Sequence, residues 1–279
     1  MIEVIFLVVL ALAWISFAVV NDIKTRIVPN WLNFSLIIFA LGFRFFHSLF
    51  LNNFGFFYQG VIGFAIFFVL GNAFYYGRMF AGGDAKLMIA LGAILPFSEN
   101  FSSNLNIFII FFILFLFSGA AYGMLSAFYL SFTNFKNCKK EFLRQFGKNK
   151  NKIYFTMIGG ILFLIFSFYN MIFFYLGIFA FILPFFYIYA KSVDEVCLVK
   201  NVKIKDLTEG DWLYKDLKVG NKIIKADWDG LSAENIKLIR KKFKEIKIKQ
   251  GIPFTPVFLI GFVILIHLYF AKINFFNIF

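Results

Sequence analysis

Two acidic residues stand where carboxylate chemistry could be done: Asp22 and Asp84. Asp84 follows a pair of glycines in Phe80-Ala81-Gly82-Gly83-Asp84-Ala85-Lys86, ahead of an apolar run, and Asp22 closes the first apolar segment. Lipid packing asks for neither acid. An ionisable group at a membrane edge is a functional candidate, because burying it is costly unless something compensates. Each acid alone reads as well as an interfacial residue that merely ends a loop; the pair allows more. Carboxyls that share a site do not ionise together easily, so one keeps a proton. The ionised member can take a proton from an attacking water, while the protonated one polarises a carbonyl and later supplies a proton to a leaving amine. That is hydrolysis of the aspartyl type, and it calls for neither metal nor cofactor.

The elements that must position these acids are membrane helices. A crossing helix needs roughly 20 apolar residues. Residues 2–20 supply the first run, and without a basic n-region or a small-residue cleavage site they read as a retained span, not a secretory signal. Polar residues 21–30 follow, where Pro29 favours a break or a new helix start. Further runs lie at 31–51, 56–76, 85–97 (short), 106–130 and 253–270, and 154–190 is long enough for two helices broken near Asn170. Gly60, Gly63 and Gly71 offer places for another helix to come close. Arg44 and His47 sit near enough to the end of the second run to snorkel.

The expected fold is therefore an all-α polytopic membrane protein with about eight transmembrane helices, about six or seven if 154–190 folds otherwise, and a small α+β cytoplasmic domain before the last helix. Its expected parts are a catalytic membrane core at 1–130, a basic cytoplasmic loop at 131–153 and two further helices in 154–190. A basic domain at 191–250 and a last span with the C-terminus at 251–279 complete it. Within 191–250, residues 196–199 and 222–224 are strand candidates. Ser232 reads as the N-cap of a helix to about residue 247, with Ile236, Ile239, Phe243 and Ile246 at helical spacing.

Hydrophobic residues make up 61% of the chain and charged ones 15%, which excludes an ordinary soluble domain. A net charge of +13 would point to nucleic acid in a soluble protein. Here the basic residues lie between apolar runs with no nucleic-acid module beside them, so no nucleic-acid partner is expected. If the loop holding Asp22 faces the cytoplasm, so do Asp84, 136–152 and 191–250, which together carry nearly every Lys and Arg. The opposite loops, 48–56, 98–105 and the turn near Asn170, carry none. The positive-inside rule then puts both acids at the cytoplasmic face of the cell membrane and both termini outside. The lysines of the 191–250 domain would meet water and the anionic headgroups of membrane lipids. Cys138 and Cys197 form neither a CxxC pair nor a zinc-type cluster, and His47 and His267 are isolated, so no metal is expected.

Helix ends give a first expectation for roles. Asp84 begins a helix, where the macrodipole favours an anion, and Asp22 ends one, where it does not; this makes Asp84 the base and Asp22 the acid. The effect is only about 0.3–1 kcal/mol near solvent, and Lys24, Arg26 and Lys86 offset it. The titration belongs to the pair.

Asp22 with Val28-Pro29-Asn30, and Gly82-Gly83-Asp84-Ala85-Lys86, resemble the two signatures of type IV prepilin peptidases and archaeal preflagellin (prearchaellin) peptidases, membrane aspartyl proteases of the GxGD type. The likeness is densest over residues 15–96. It implies that Asp22 and Asp84 are a catalytic dyad, with Gly82, Gly83, Lys86, Pro29 and Asn30 supporting the catalytic loop. It also implies removal of short basic leaders from pilin-like or archaellin precursors at the cytoplasmic face. Ala81 replaces the first glycine of the pattern. The paired-CxxC insertion of many bacterial members is absent, which implies cleavage without N-methylation and an archaeal source. Three other readings compete. A presenilin-like protease cuts within the membrane, but its first aspartate usually lies inside a span beside a Tyr, whereas Asp22 neighbours Lys24 and Arg26. A proton- or cation-coupled transporter would show an internal repeat, and none is visible. A scaffold would have 191–250 as its working part.

Overall fold

The computed structural model describes residues 1–220 and 222–272; residues 273–279, the end of the expected 251–279 segment, lie outside the described residues. In chain order the helices are α1 (Ile2–Thr25), α2 (Asn30–Leu51), α3 (Gly55–Tyr76), α4 (Gly82–Gly92), α5 (Phe101–Thr133), α6 (Phe135–Lys148), α7 (Lys150–Phe166), α8 (Met171–Cys197), α9 (Ala233–Arg240) and α10 (Thr255–Phe270). Short strands β1 (Val199–Lys203), β2 (Trp212–Leu213), β3 (Leu217–Val219), β4 (Lys222–Ile224) and β5 (Glu245–Lys249) lie between α8 and α10. The chain divides into two compact units, residues 1–123 with 253–272 and residues 124–252.

Helices α1, α2, α3, α5 and α8 are long and apolar enough to cross a membrane, and α10 is a shorter apolar helix. The run at 85–97 is a different object. Its helix, α4, has 11 residues, which rise about 16 Å against a hydrocarbon core of about 30 Å. A buried non-helical stretch continues from it through Phe97.

In the first unit α1 packs against α2 and α10, α2 against α3 and α4, and α3 along α4. Glycine sets the α3–α4 spacing. A Cβ on Gly63 would stand 2.4 Å from the Gly92 carbonyl oxygen, and one on Gly92 would stand 2.5 Å from Phe67 Cβ. The buried stretch after α4 is not helical, so its carbonyls need donors from elsewhere, and Arg44 supplies them. Its Nε donates to Ala93 O at 2.9 Å, Nη1 to Phe56 O at 2.9 Å, and Nη2 to Ile94 O at 3.1 Å and to Pro96 O. The guanidinium also lies 4.1 Å from the Phe56 ring centroid. Arg44 is therefore fully buried and does not snorkel, because a planar group with five donors has four carbonyls to satisfy. Gly60 leaves it room, since a Cβ there would stand 2.4 Å from Arg44 Cδ.

In the second unit, residues 135–148 of the expected basic loop form helix α6. The break near Asn170 falls where expected. The Asn170 side chain accepts from Ile172 N and caps α8, which packs back along α7. Beyond α8, β1, β5 and β2 form an antiparallel sheet in the order β1-β5-β2, and β3 pairs with β4. Their core gathers Ile204, Leu213, Ile236, Ile239, Ile246 and Ile248. Strand 222–224 and the Ser232 cap match expectation, with Ser232 Oγ accepting from Asn235 N. Two readings do not. Residues 196–197 end α8 instead of starting a strand. The helix from Ser232 stops at Arg240, and 245–249 pairs with β1 and β2, burying Ile246 and Ile248 at a strand's period of two.

Candidate active site

Asp22 lies in the last turn of α1, three residues before the helix ends, with Arg26 closing it in the left-handed conformation. Its side chain is 7% exposed. A buried carboxylate needs donors, and here they come from the start of α10. Thr255 N donates to Asp22 Oδ2 at 3.1 Å, and Thr255 Oγ1 donates to the same oxygen at 2.9 Å. The first N–H groups of a helix have no partner within it, so the N-terminus of α10 offers both a free donor and the positive end of a dipole.

An aromatic cluster fixes that helix start beside the segment entering α4. Phe80 lies 6.0 Å from Phe254 and 6.2 Å from Phe258, centroid to centroid, and Phe115 stands 4.7 Å from Phe258. Ala81 then N-caps α4 and Asp84 is its third residue. Asp84 thus stands at the third position of the helix, where the Ala81 N–H favours its anion. Protein closes over most of its surroundings, and that burial raises its pKa to about 7, with the charge of Asp22 as the next cause and the Ala81 hydrogen bond opposing both.

The two signature segments touch in two further places. Val28 is buried, and a Cβ on Gly83 would stand 3.1 Å from Val28 Cβ. Lys86 Nζ donates to Asn30 Oδ1 at 2.7 Å. Pro29 is the N-cap of α2 and Asn30 its first residue. Gly82 sits in more open space, where an added Cβ would stand 3.7 Å from the Tyr75 ring. Both glycines belong to the first turn of α4, and neither has a positive φ. The requirement at Gly83 is thus close approach to Val28, not an unusual backbone.

Sequence reasoning missed Thr255. It stands far from Asp22 in the chain, inside a run legible only as a last apolar helix. The available signal was the pair Pro253 and Pro256 around it, which marks a helix start and hence unpartnered N–H groups. Asp22 meets the ends of two helices, the C-terminus of its own α1 and the N-terminus of α10. The end of α10 at Asp22 offsets the unfavourable end of α1.

Residues 9–129 match the Type IV leader peptidase family. The chain is also similar to a preflagellin peptidase of Methanococcus maripaludis, with 28% identity over 148 residues, 49% of this chain and 64% of that protein. The match thus spans less than two thirds of the relative's length. No solved structure gives a significant match. Asp22 and Asp84 fall inside the matched stretch 9–129, and Thr255 falls outside it.

The packing at the two glycines separates them by experiment. Gly83→Val drives bulk into Val28 and should lower the thermal midpoint of the purified protein by several degrees. Gly82→Ala should leave it unchanged or slightly raised, since alanine in a helix is favoured over glycine by about 0.5–1 kcal/mol. Equal midpoints for the two variants would contradict the packing assigned to Gly83.

Proposed function

We propose that this chain, matched to the leader-peptidase family through residues 9–129, is a membrane aspartic endopeptidase. It removes the short basic leader from type IV pilin-like or archaellin precursors at the cytoplasmic face and carries no N-methyltransferase activity. One observation carries the reading: the two signature segments meet, Val28 on Gly83 and Asn30 on Lys86, and the charge of Asp22 acts on Asp84. The placement at the cytoplasmic face rests on the distribution of Lys and Arg among the loops.

In the mechanism proposed, the dyad shares one proton, and the proton rests on Asp84. Burial beside another acid favours the neutral form of Asp84. Asp22 receives two hydrogen bonds at one oxygen, the arrangement that suits an ionised carboxylate. Asp22 then takes a proton from the attacking water. Asp84 polarises the scissile carbonyl and delivers its proton to the leaving amine. These roles reverse the first expectation from the helix dipoles.

A precursor of this class has a basic leader followed by an apolar helix. With the helix among the spans, the bond to be cut lies just ahead of the apolar run, where the backbone can be extended. Inside that run it would first have to be unwound. A small residue before the cut, which the resemblance implies, also suits passage of the backbone near Gly82. One feature favours a presenilin-like cut within the membrane: Asp22 is inside α1 and not in the loop that follows. Incubating the purified protein in detergent with a pilin-like precursor and sequencing the product's N-terminus decides between them. The expected new terminus immediately precedes the apolar segment. A terminus well inside that segment would sink the leader-peptidase reading.

The proton assignment has its own test. Cleavage should fall as pH rises through about 7, where Asp84 loses its proton. Thr255→Val removes one donor to Asp22 and should slow cleavage about tenfold or more, as loss of a hydrogen bond to a charged group does. Thr255→Ser keeps the hydroxyl and should restore most of the rate. A Thr255→Val enzyme with the parent's rate and pH profile would remove Thr255 from the mechanism.

A further inference from the structure

The second unit holds a cavity of ≈ 330 Å³ that takes no part in the chemistry proposed above. Its cationic lining comes from Arg144 and Lys148 on α6, Lys191 on α8, and Lys215 after β2, with Glu195 and Tyr214 completing the wall. The acids nearby are already engaged. Tyr214 Oη donates to Glu195 Oε2 at 2.5 Å, and Arg144 pairs with Glu141 at 2.6 Å. Lys148, Lys191 and Lys215 make no ion pair among the described residues. Lys191 and Lys215 rest only against the rings of Tyr187 and Tyr214, at 5.9 and 5.0 Å. The cavity therefore has an excess of positive charge and a shape that can hold an anion.

Its position says which anion. Helix α8 is long and apolar enough to cross a membrane, its apolar run ends at Ala190, and Lys191 follows directly. Helix α7, packed along α8, turns apolar at Ile153, shortly after Lys148 and Asn149. The cationic wall thus lies at the level where hydrocarbon gives way to water, which is where phospholipid phosphates lie. Beside the cavity, Phe146 on α6 faces Phe185 on α8 at 6.2 Å between ring centroids, and Phe185, Phe186 and Tyr187 are exposed. A free anion has no use for that apolar flank, whereas acyl chains do.

We propose that this cavity binds the phosphate of an anionic membrane phospholipid whose chains lie along the exposed apolar face of α8. The lipid fixes the junction of α6 and α8 at the membrane boundary. Its phosphate answers the three lysines that make no ion pair among the described residues.

Native mass spectrometry of the full chain, released from detergent in the presence of dioleoylphosphatidylglycerol or dioleoylphosphatidylcholine, tests this. The parent should retain phosphatidylglycerol in preference to phosphatidylcholine. Lys148→Gln with Lys191→Gln should weaken that retention about thirtyfold, the loss expected for two lysines near a headgroup. The single exposed change Lys148→Gln should give an intermediate loss, so the test survives if the double variant folds poorly. Lys237→Gln with Lys241→Gln, at α9, should retain the lipid like the parent. Equal retention of both lipids by the parent, or equal phosphatidylglycerol retention by the parent and the Lys148→Gln variant, would overturn the proposal. So would a rise in thermal midpoint as large with inorganic phosphate alone as with phosphatidylglycerol, since the occupant would then be a free anion.

Discussion

The first unit depends on how a buried carboxylate is satisfied. Asp22 is enclosed at the end of α1, and an acid so enclosed is costly without donors. The backbone N–H and hydroxyl of Thr255 supply them from the start of α10. One oxygen thereby ties the first helix of the unit to its last. The start of α10 is itself fixed by Phe254 and Phe258 against Phe80, two residues ahead of the helix that carries Asp84. The contact that satisfies one acid therefore also orders the approach to the other.

The second acid is held by a short helix clamped at both ends. At its start, Gly83 admits Val28 and Lys86 bonds Asn30. At its finish, Arg44 gathers carbonyls of Ala93, Ile94 and Pro96. Along its length, Gly63 and Gly92 bring α3 into backbone contact. A longer helix would carry its own termini to the membrane edges. A helix of this length ends inside the protein, so a buried guanidinium is the group that answers the carbonyls of the chain leaving it.

Local chemistry was legible in the sequence, and long-range partnership was not. Asn30 stands out only through the resemblance, whereas Asp22, Asp84 and Pro29 stand out because composition makes acids and helix breaks conspicuous in an apolar chain. Asn170 and Ser232 announced their helix starts for the same reason. Arg44 was placed at a water boundary because its sequence neighbours cannot reveal four carbonyls from distant segments. Ile246 fits a helical spacing with Ile236, Ile239 and Phe243, yet residues 245–249 form a strand because two others flank them. The prolines beside Thr255 mark a helix start but not what it binds, since its partner lies at the other end of the chain.

The central claim is that Asp22 and Asp84 act together as the proteolytic dyad. The most direct measurement is cleavage of a pilin-like precursor by the inserted, folded Asp22→Asn and Asp84→Asn variants, with Asp206→Asn as a control in the second unit. An amide keeps the volume of the carboxyl and cannot cycle a proton, so each single change at the dyad should abolish product formation while the control cleaves like the parent. Substantial cleavage by either Asp22→Asn or Asp84→Asn would contradict the account.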